Sequence, residues 1–217
     1  MSLFEERRGL YAIVDPAHTG ARSPLELAEA IVAGGPALFQ YRDKTQSDRD
    51  RLRLGRELRT LCRRAGIPFI VNDRLDLALL LGADGAHLGQ EDLPIEAARR
   101  IAPSLPLGRS THSVEQARAA AREDHAILGF GPVFPTKTKE RPDPVTGLDV
   151  LARLRSELPL PLVAIGGINL DTIGEIARTG AHYAAVISAL ADADDPEAMT
   201  RALHLRFIEA LSANAQG

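Results

Sequence analysis

Short apolar runs recur along the chain, and each is followed by a longer stretch with helical spacing of its apolar residues. The runs lie at 10–14, 37–41, 69–71, 85–88, 107–110, 126–130, 162–165 and 184–187. They are continuously apolar and do not alternate with polar residues, which is typical of parallel strands that are covered on both faces. The pattern therefore predicts eight short, buried strands.

The segments between these runs carry helix start and stop signals. Ser23 and Ser47 stand where a helix N-cap is expected, and Gly66 and Gly180 each follow a helical stretch. Helices are predicted over 23–31, 47–64, 94–101, 113–123, 148–158, 170–179 and 196–211, with a short one that ends at 81. Strands and helices therefore alternate along the whole chain.

This alternation predicts the fold class. Eight strand–helix units within 217 residues indicate an α/β protein, a single (β/α)8 barrel (TIM barrel) that spans 1–217 as one domain. An open dinucleotide-binding sheet would carry a glycine fingerprint after its first strand, and the sequence DPAH at 15–18 is not one.

Composition narrows the class of partner. A formal net charge of −3 argues against a general nucleic-acid binder, and an aromatic content of 4% makes base stacking improbable. No stretch approaches the length of a membrane span, and the first residues lack the apolar core of a signal peptide. The single cysteine, Cys62, lies on an apolar helix face and is interpreted as packing. We expect a cytoplasmic protein with small-molecule substrates and with no nucleic-acid or membrane partner; homo-oligomer formation stays open.

Polar side chains follow the predicted strands where a barrel of this kind builds its active site. They are Arg42 and Lys44, Asn72 and Asp73, Asp92, Ser110, Thr136 to Lys139, Gly166 and Gly167, and Ser188. The loop after the sixth strand contains two hydroxyls and two ammonium groups, Thr136, Lys137, Thr138 and Lys139, which are suitable ligands for phosphate. The alternative for this loop alone is a solvated basic segment.

Two carboxylates come from neighbouring strands, Asp73 after the third and Asp92 after the fourth. Mg²⁺ is commonly held by one or two carboxylates together with substrate phosphates. The alternative for either residue alone is helix capping or an ion pair with Arg74. With Arg42, Lys44 and Lys139 nearby, the pair favours a site for a metal and a diphosphate.

Gly166, Gly167 and Ser188 follow strands seven and eight, where such barrels frequently bind a phosphate through backbone N–H groups. The alternative for the glycines is a tight turn that needs positive φ. Together, a cationic site with a metal and a small neutral phosphate site suggest a transfer between two phosphorylated substrates, with pyrophosphate leaving.

Six motifs resemble those of the thiamine-phosphate synthase family, and they occur in the family's order over nearly the whole chain. They are QYRDK at 40–44, NDR at 72–74, HLGQEDLP at 87–94, STHS at 110–113, GPVFPT at 131–136 and AIGGI at 164–168. The resemblance implies a (β/α)8 barrel that joins a hydroxymethylpyrimidine diphosphate to a thiazole phosphate, with Mg²⁺, and releases pyrophosphate. It also implies a dissociative substitution, in which pyrophosphate leaves before the thiazole nitrogen captures a pyrimidine-methyl cation.

The resemblance assigns roles residue by residue. Ligands of the pyrimidine diphosphate would be Gln40, Tyr41, Arg42, Asp43, Lys44, Asn72, Ser110 and Lys139, of which Arg42, Lys44, Ser110 and Lys139 would assist the chemistry. The thiazole phosphate would be held by Thr136, Thr138, Gly167, Ile187 and Ser188. Asp73 and Asp92 would hold Mg²⁺.

Two segments depart from the family pattern. Arg109 replaces a small apolar residue before Ser110; if the strand alternates normally, it points toward the helices and needs a carboxylate partner. The segment 140–146 contains Pro142 and Pro144 and is expected to form a flap. Neither departure removes a proposed ligand.

Two histidines within the motifs, His87 and His112, are expected to be structural.

Two other functions compete with the synthase. A thiazole tautomerase, with a related barrel, would lack the diphosphate and metal ligands. A non-catalytic phosphate-binding regulator would have lost a metal carboxylate or Lys139.

Overall fold

The computed structural model describes residues 3–5, 7–136 and 144–214, and in it eight strands form a closed barrel. The strands are β1 Gly9–Val14, β2 Leu38–Tyr41, β3 Phe69–Asn72, β4 Gly85–Leu88, β5 Leu107–Thr111, β6 Ile127–Phe130, β7 Leu162–Ile165 and β8 Tyr183–Val186. Each strand is parallel to the next, and β1 pairs with β8 to close the barrel. The predicted (β/α)8 barrel is confirmed, whereas its extent as one domain over 1–217 stays a prediction.

Helices follow the strands around the barrel. The described helices are α1 Pro24–Ala33, α2 Asp48–Ala65, α3 Leu75–Leu81, α4 Ile95–Ile101, α5 Val114–Ala120, α6 Leu148–Glu157, α7 Ile173–Arg178, α8 Ser188–Ala191 and α9 Pro196–Asn214. The predicted caps are in place: the Ser23 hydroxyl accepts from the Glu26 N–H, and the Ser47 hydroxyl accepts from the Asp50 N–H. Gly66 ends α2 in the left-handed region, at φ 67°.

Three helix predictions need correction. Helix α7 begins at Ile173 and not at 170, because the Asn169 side chain accepts from the N–H groups of Asp171 and Thr172 and holds a turn there. Helix α5 ends at Ala120, before the predicted 123. The sequence analysis also missed α8, whose four residues are too few to show a period.

The apolar residues form two layers that determine where a ligand can enter. One layer lies between the sheet and the helices and includes the buried Cys62, which confirms its packing role. The other fills the barrel interior with residues such as Tyr11, Ile70 and Tyr183, and Phe4 lies in the same cluster. Because this second layer fills the barrel in the part of the chain that the structure describes, we expect ligands to enter at the carboxyl ends of the strands.

In the part of the chain that the structure describes, no helix is both long enough and apolar enough to cross a membrane.

Candidate active site

A cavity of about 710 Å³ opens at the carboxyl ends of the strands. Its lining includes most of the residues that the sequence analysis selected: Gln40, Arg42, Lys44, Asn72, Asp73, Asp92, Ser110, Thr136, Gly166, Gly167, Ile187 and Ser188. The fold thus brings together side chains that lie far apart in sequence, as the strand-end argument predicted.

Arg42 stands on one side of the cavity, directly after β2. Its guanidinium group donates a hydrogen bond to the carboxylate of Asp15, the residue that follows β1. The Asp15 side chain is buried, and its other oxygen accepts from the Ala17 N–H at 3.0 Å. Asp15 therefore fixes the position of Arg42, which faces the cavity.

Asp73 and Asp92 stand side by side on the same side of the cavity. Asp73 adopts a left-handed backbone conformation, with φ 60°, and its N–H donates to the His87 carbonyl at 2.8 Å. The Asp92 carboxylate accepts from the Gly89 N–H at 2.5 Å. Burial, and with it the facing Asp73 carboxyl, raises the pKa of Asp92. The predicted approach of the two carboxyl groups is confirmed.

The expected ion-pair alternative does not hold for Asp73. Arg74 donates instead to Asp48 and to Asp76, at 2.6 Å in each case, outside the cavity. The partner of Asp73 is Lys44, whose Nζ lies 3.0 Å from Asp73 Oδ2. Two acidic groups and one ammonium group thus share this corner of the cavity.

The acidic pair matches the chemistry of a Mg²⁺ site completed by a ligand. Among the described residues, no group of three or more His, Cys, Asp or Glu side chains could enclose a metal. Two adjacent carboxyl groups that share one ammonium group, Lys44, are suitable for an ion that keeps waters and shares substrate phosphate oxygens. A zinc-type cage of protein ligands does not fit this arrangement.

Ser110 and His87 meet on the inner wall of the barrel. His87 Nε2 lies 3.1 Å from Ser110 Oγ, and burial lowers the pKa of His87 to about 4. The ring is therefore neutral near physiological pH. His112 Nδ1 lies 2.8 Å from the Gly131 carbonyl oxygen, and both histidines also line the cavity, so the structural roles expected for them stay predictions.

The opposite side of the cavity is lined by backbone. Gly166 and Gly167 have φ 98° and 66°, and β8 leads through Ile187 to Ser188, the first residue of α8. Among the described residues, no acceptor is found for the N–H groups of Gly167 and Ser188. A Cβ at Gly167 would also overlap Phe134 and Pro135, so the turn needs glycine for its own geometry as well.

Two predicted ligands, Tyr41 and Asp43, lie outside the cavity. The Tyr41 hydroxyl donates to Asp43 Oδ2 at 2.9 Å, and Asp43 also accepts from the N–H groups of Thr45 and Gln46. Both side chains stabilise the loop after β2, because alternate residues point to opposite faces of the sheet. Gln40, Arg42 and Lys44 take the inward positions.

Thr138 and Lys139 lie outside the described residues, as do Lys137 and positions 140–143 of the expected flap. The roles that the sequence analysis gives them remain predictions. The described end of the flap is attached to the cavity loop: the Thr146 N–H donates to the Pro132 carbonyl at 2.9 Å.

Arg109 has no carboxylate partner among the residues that the structure describes, so the expected ion pair stays a prediction. Among the described residues, its guanidinium group meets the carbonyl oxygens of Gln90 and Leu93, at 3.3 and 3.4 Å. These carbonyls belong to the loop that carries Asp92. Arg109 therefore contacts the loop that carries Asp92 through two backbone carbonyl groups.

Sequence reasoning missed Asp15, which follows β1 and holds Arg42. The signal was available, since Asp15 obeys the same strand-end rule as the other site residues. It was interpreted as the end of a strand because proline follows it.

Comparison with known proteins agrees with this geometry. The model of the family described as "Thiamine monophosphate synthase" matches residues 10–190. The thiamine-phosphate synthase of Chloroflexus aurantiacus is 43% identical over 194 residues, which cover 89% of this chain and 90% of that protein. That of Natronomonas pharaonis is 44% identical over 199 residues, or 90% of this chain and 92% of that protein.

Solved structures give the same result. The thiamine phosphate pyrophosphorylase from Pyrococcus furiosus superposes with a TM-score of 0.86 at 38% identity, covering 94% of this chain and 96% of that one. An (S)-3-O-geranylgeranylglyceryl phosphate synthase from Thermoplasma acidophilum has a TM-score of 0.70 at 15% identity and shows the fold alone. The matching family model and these relatives, together with the motifs, show that the chain belongs to the thiamine monophosphate synthase family. It is a transferase of that family.

Proposed function

We propose that this chain joins 4-amino-2-methyl-5-hydroxymethylpyrimidine diphosphate to 4-methyl-5-(2-phosphooxyethyl)thiazole, with Mg²⁺, to give thiamine phosphate and pyrophosphate. One observation carries the proposal: the same cavity has two unlike regions, and each is suited to bind an anion. One has cationic side chains and a carboxylate pair, and the other has backbone N–H groups without a partner among the described residues.

The charged region suits the diphosphate. Arg42 and Lys44 can neutralise phosphate oxygens, and Asp73 and Asp92 would hold Mg²⁺ between the protein and the diphosphate. When bound, Mg²⁺ supplies positive charge to the diphosphate oxygens and so makes pyrophosphate a better leaving group. Gln40, Asn72 and Ser110 lie around this region and offer hydrogen bonds to the pyrimidine or to the diphosphate.

The neutral region suits the thiazole monophosphate. The N–H groups of Gly167 and Ser188 and the hydroxyls of Ser188 and Thr136 can donate to phosphate oxygens. This region has no charged side chain of its own among the lining residues, so it selects a small phosphate over a metal-bound diphosphate.

The proposed chemistry is dissociative. The bond between the pyrimidine methylene carbon and the diphosphate oxygen breaks, and its electron pair leaves with pyrophosphate. The lone pair of the thiazole nitrogen then forms the new carbon–nitrogen bond. No proton has to be removed from the nucleophile, which agrees with a cavity whose inner histidine, His87, has its pKa lowered to about 4. Catalysis then depends on orientation and on charge stabilisation of the leaving group.

The direct test is to mix the purified protein with both substrates and Mg²⁺ and to identify products by mass. We expect thiamine phosphate and pyrophosphate in equal amounts, and no product without either substrate or in excess chelator. Isomerisation of a thiazole substrate alone would identify a tautomerase, and binding without turnover would identify a regulator. Either result would overturn the proposal. The cytoplasmic location remains a prediction from the sequence, and the oligomeric state stays open.

A further inference from the structure

The imidazole ring of His87 occupies a space that two neighbouring strands leave open for it. Gly108 on β5 and Gly129 on β6 both face the ring. A Cβ at Gly129 would lie 3.1 Å from Nε2, and one at Gly108 would lie 3.0 Å from Cε1 and closer still to Nδ1. Because real Cβ atoms rarely come so close to other atoms, a side chain at either position would displace the ring. The two glycines therefore leave the space that the His87 ring occupies in the barrel wall.

The two ring nitrogens have different surroundings. Nε2 lies 3.1 Å from Ser110 Oγ, whereas Nδ1 is buried and has no hydrogen-bond partner among the described residues. In folded proteins, a buried N–H group without an acceptor is rarer than a buried acceptor that lacks a donor. The neutral ring is therefore more stable with its proton on Nε2 and a bare lone pair on Nδ1.

We infer that His87 is a positioning residue: its Nε2–H donates to Ser110 Oγ and so directs the Ser110 hydroxyl proton into the cavity. A serine hydroxyl has one proton to donate. If His87 supplies the hydrogen bond that Ser110 accepts, the serine proton is free for an acceptor atom of the pyrimidine diphosphate. The opposite tautomer would consume the serine proton within the protein and leave only lone pairs facing the ligand. The ligand's identity rests on the proposed function, whereas the tautomer does not.

A purely structural histidine is the competing explanation, and a double-mutant cycle separates the two. His87→Leu removes both nitrogens with little change in volume. We expect it to lower kcat/KM for the pyrimidine diphosphate by about tenfold, the effect of losing one hydrogen bond of ordinary strength. The KM for the thiazole phosphate should not change. In a Ser110→Ala background the same substitution should cause no further loss, because its effect is transmitted through Ser110.

Two further variants strengthen this test. His87→Gln, whose amide N–H can reach toward Ser110, should restore part of the lost activity. His182→Leu is the matched control, because His182 precedes β8 at the opposite end of the barrel and also has a pKa lowered to about 4 by burial. It should lower the melting temperature, since the Leu162 N–H donates to its Nδ1 at 3.4 Å, but leave turnover per folded molecule unchanged.

The tautomer can be read directly from ¹⁵N–¹H NMR correlations of the histidine rings in the wild-type protein. A proton on Nε2 of His87 supports the inference, and a proton on Nδ1 overturns it. Additive losses for His87→Leu and Ser110→Ala would overturn it as well. If the wild-type protein forms no thiamine phosphate, the proposed function fails, while the NMR measurement still decides the tautomer.

Discussion

Lys44 Nζ lies 3.0 Å from Asp73 Oδ2, and Asp73 in turn faces Asp92. The lysine is more than half exposed, with a side-chain accessibility of 57%, so this ion pair contributes little to stability. The Lys44 ammonium group can therefore leave Asp73 for another anionic group at little cost in stability. If the carboxylate pair holds a cation as proposed, the Lys44 ammonium group could contact the proposed diphosphate instead, without a large loss of stability.

The carboxylate pair gives the first prediction. Asp73→Ala or Asp92→Ala should abolish turnover while the circular dichroism spectrum stays that of a folded protein, because each would remove a proposed ligand of Mg²⁺. Asp76→Ala is the control, since Asp76 pairs with Arg74 outside the cavity and should have little effect. Full activity in either site variant, or in excess chelator, would rule out the metal assignment.

A stability measurement tests the same pair without substrate. The folded-state pKa of Asp92 is raised, so its ionised form opposes folding above that pKa. Asp92→Asn should therefore raise the melting temperature of the metal-free protein near neutral pH. The gain should shrink as the pH falls through the Asp92 pKa, because the wild-type carboxyl then becomes neutral too. Added Mg²⁺ should stabilise the wild type and not the variant; the opposite pattern would contradict the site.

Asp15 is predicted to act through Arg42. Asp15→Asn keeps the shape of the side chain but removes the charge that holds the guanidinium group. We expect the KM for the pyrimidine diphosphate to rise by about tenfold, as for loss of a charge-assisted hydrogen bond, with a smaller effect on the thiazole phosphate. Asp76→Asn breaks an Arg–Asp pair that is more exposed and lies away from the cavity, and it should leave both KM values unchanged. Equal behaviour of the two variants would contradict this role.

Gly167 is predicted to receive the thiazole phosphate. Gly167→Val should weaken binding of that substrate, because the side chain would crowd the N–H groups that we propose bind the phosphate. The same change strains the turn, so a control for strain is needed. Gly66 has nearly the same φ, 67° against 66°, and open space around its Cα, so Gly66→Val isolates the backbone cost. If calorimetry on the two folded variants shows equal thiazole-phosphate affinity, the turn is only structural.

Lys139 lies outside the described residues, and its prediction rests on the sequence. If pyrophosphate leaves before the new bond forms, an ammonium group near it stabilises the transition state more than the ground state. Lys139→Ala should lower kcat by roughly a hundredfold, as for loss of a preorganised charge-stabilising donor. Lys137→Ala is the control and should change little. If neither substitution lowers kcat, the loop is the solvated basic segment that the sequence analysis kept as the alternative.

The sequence by itself determined the fold and the end of the barrel at which the candidate site lies. Repeated apolar runs predicted the parallel strands, and the residues after them predicted the cavity lining, because parallel strands bring their carboxyl ends to one edge. Alternation along a strand also placed Ser110 inward and Arg109 outward. The same rule, applied to 40–44, would have separated Gln40 from Tyr41 in advance.

Only the tertiary structure decided which groups meet. Arg42 binds Asp15, Arg109 binds backbone carbonyls, and His87 reaches Ser110 through the space left by two glycines. These partners depend on the register between strands and on the course of the loops, and both are set by the packing of the closed barrel. A local pattern of apolar and polar residues encodes where a strand begins and ends, but a contact between two side chains depends on atoms from several elements at once.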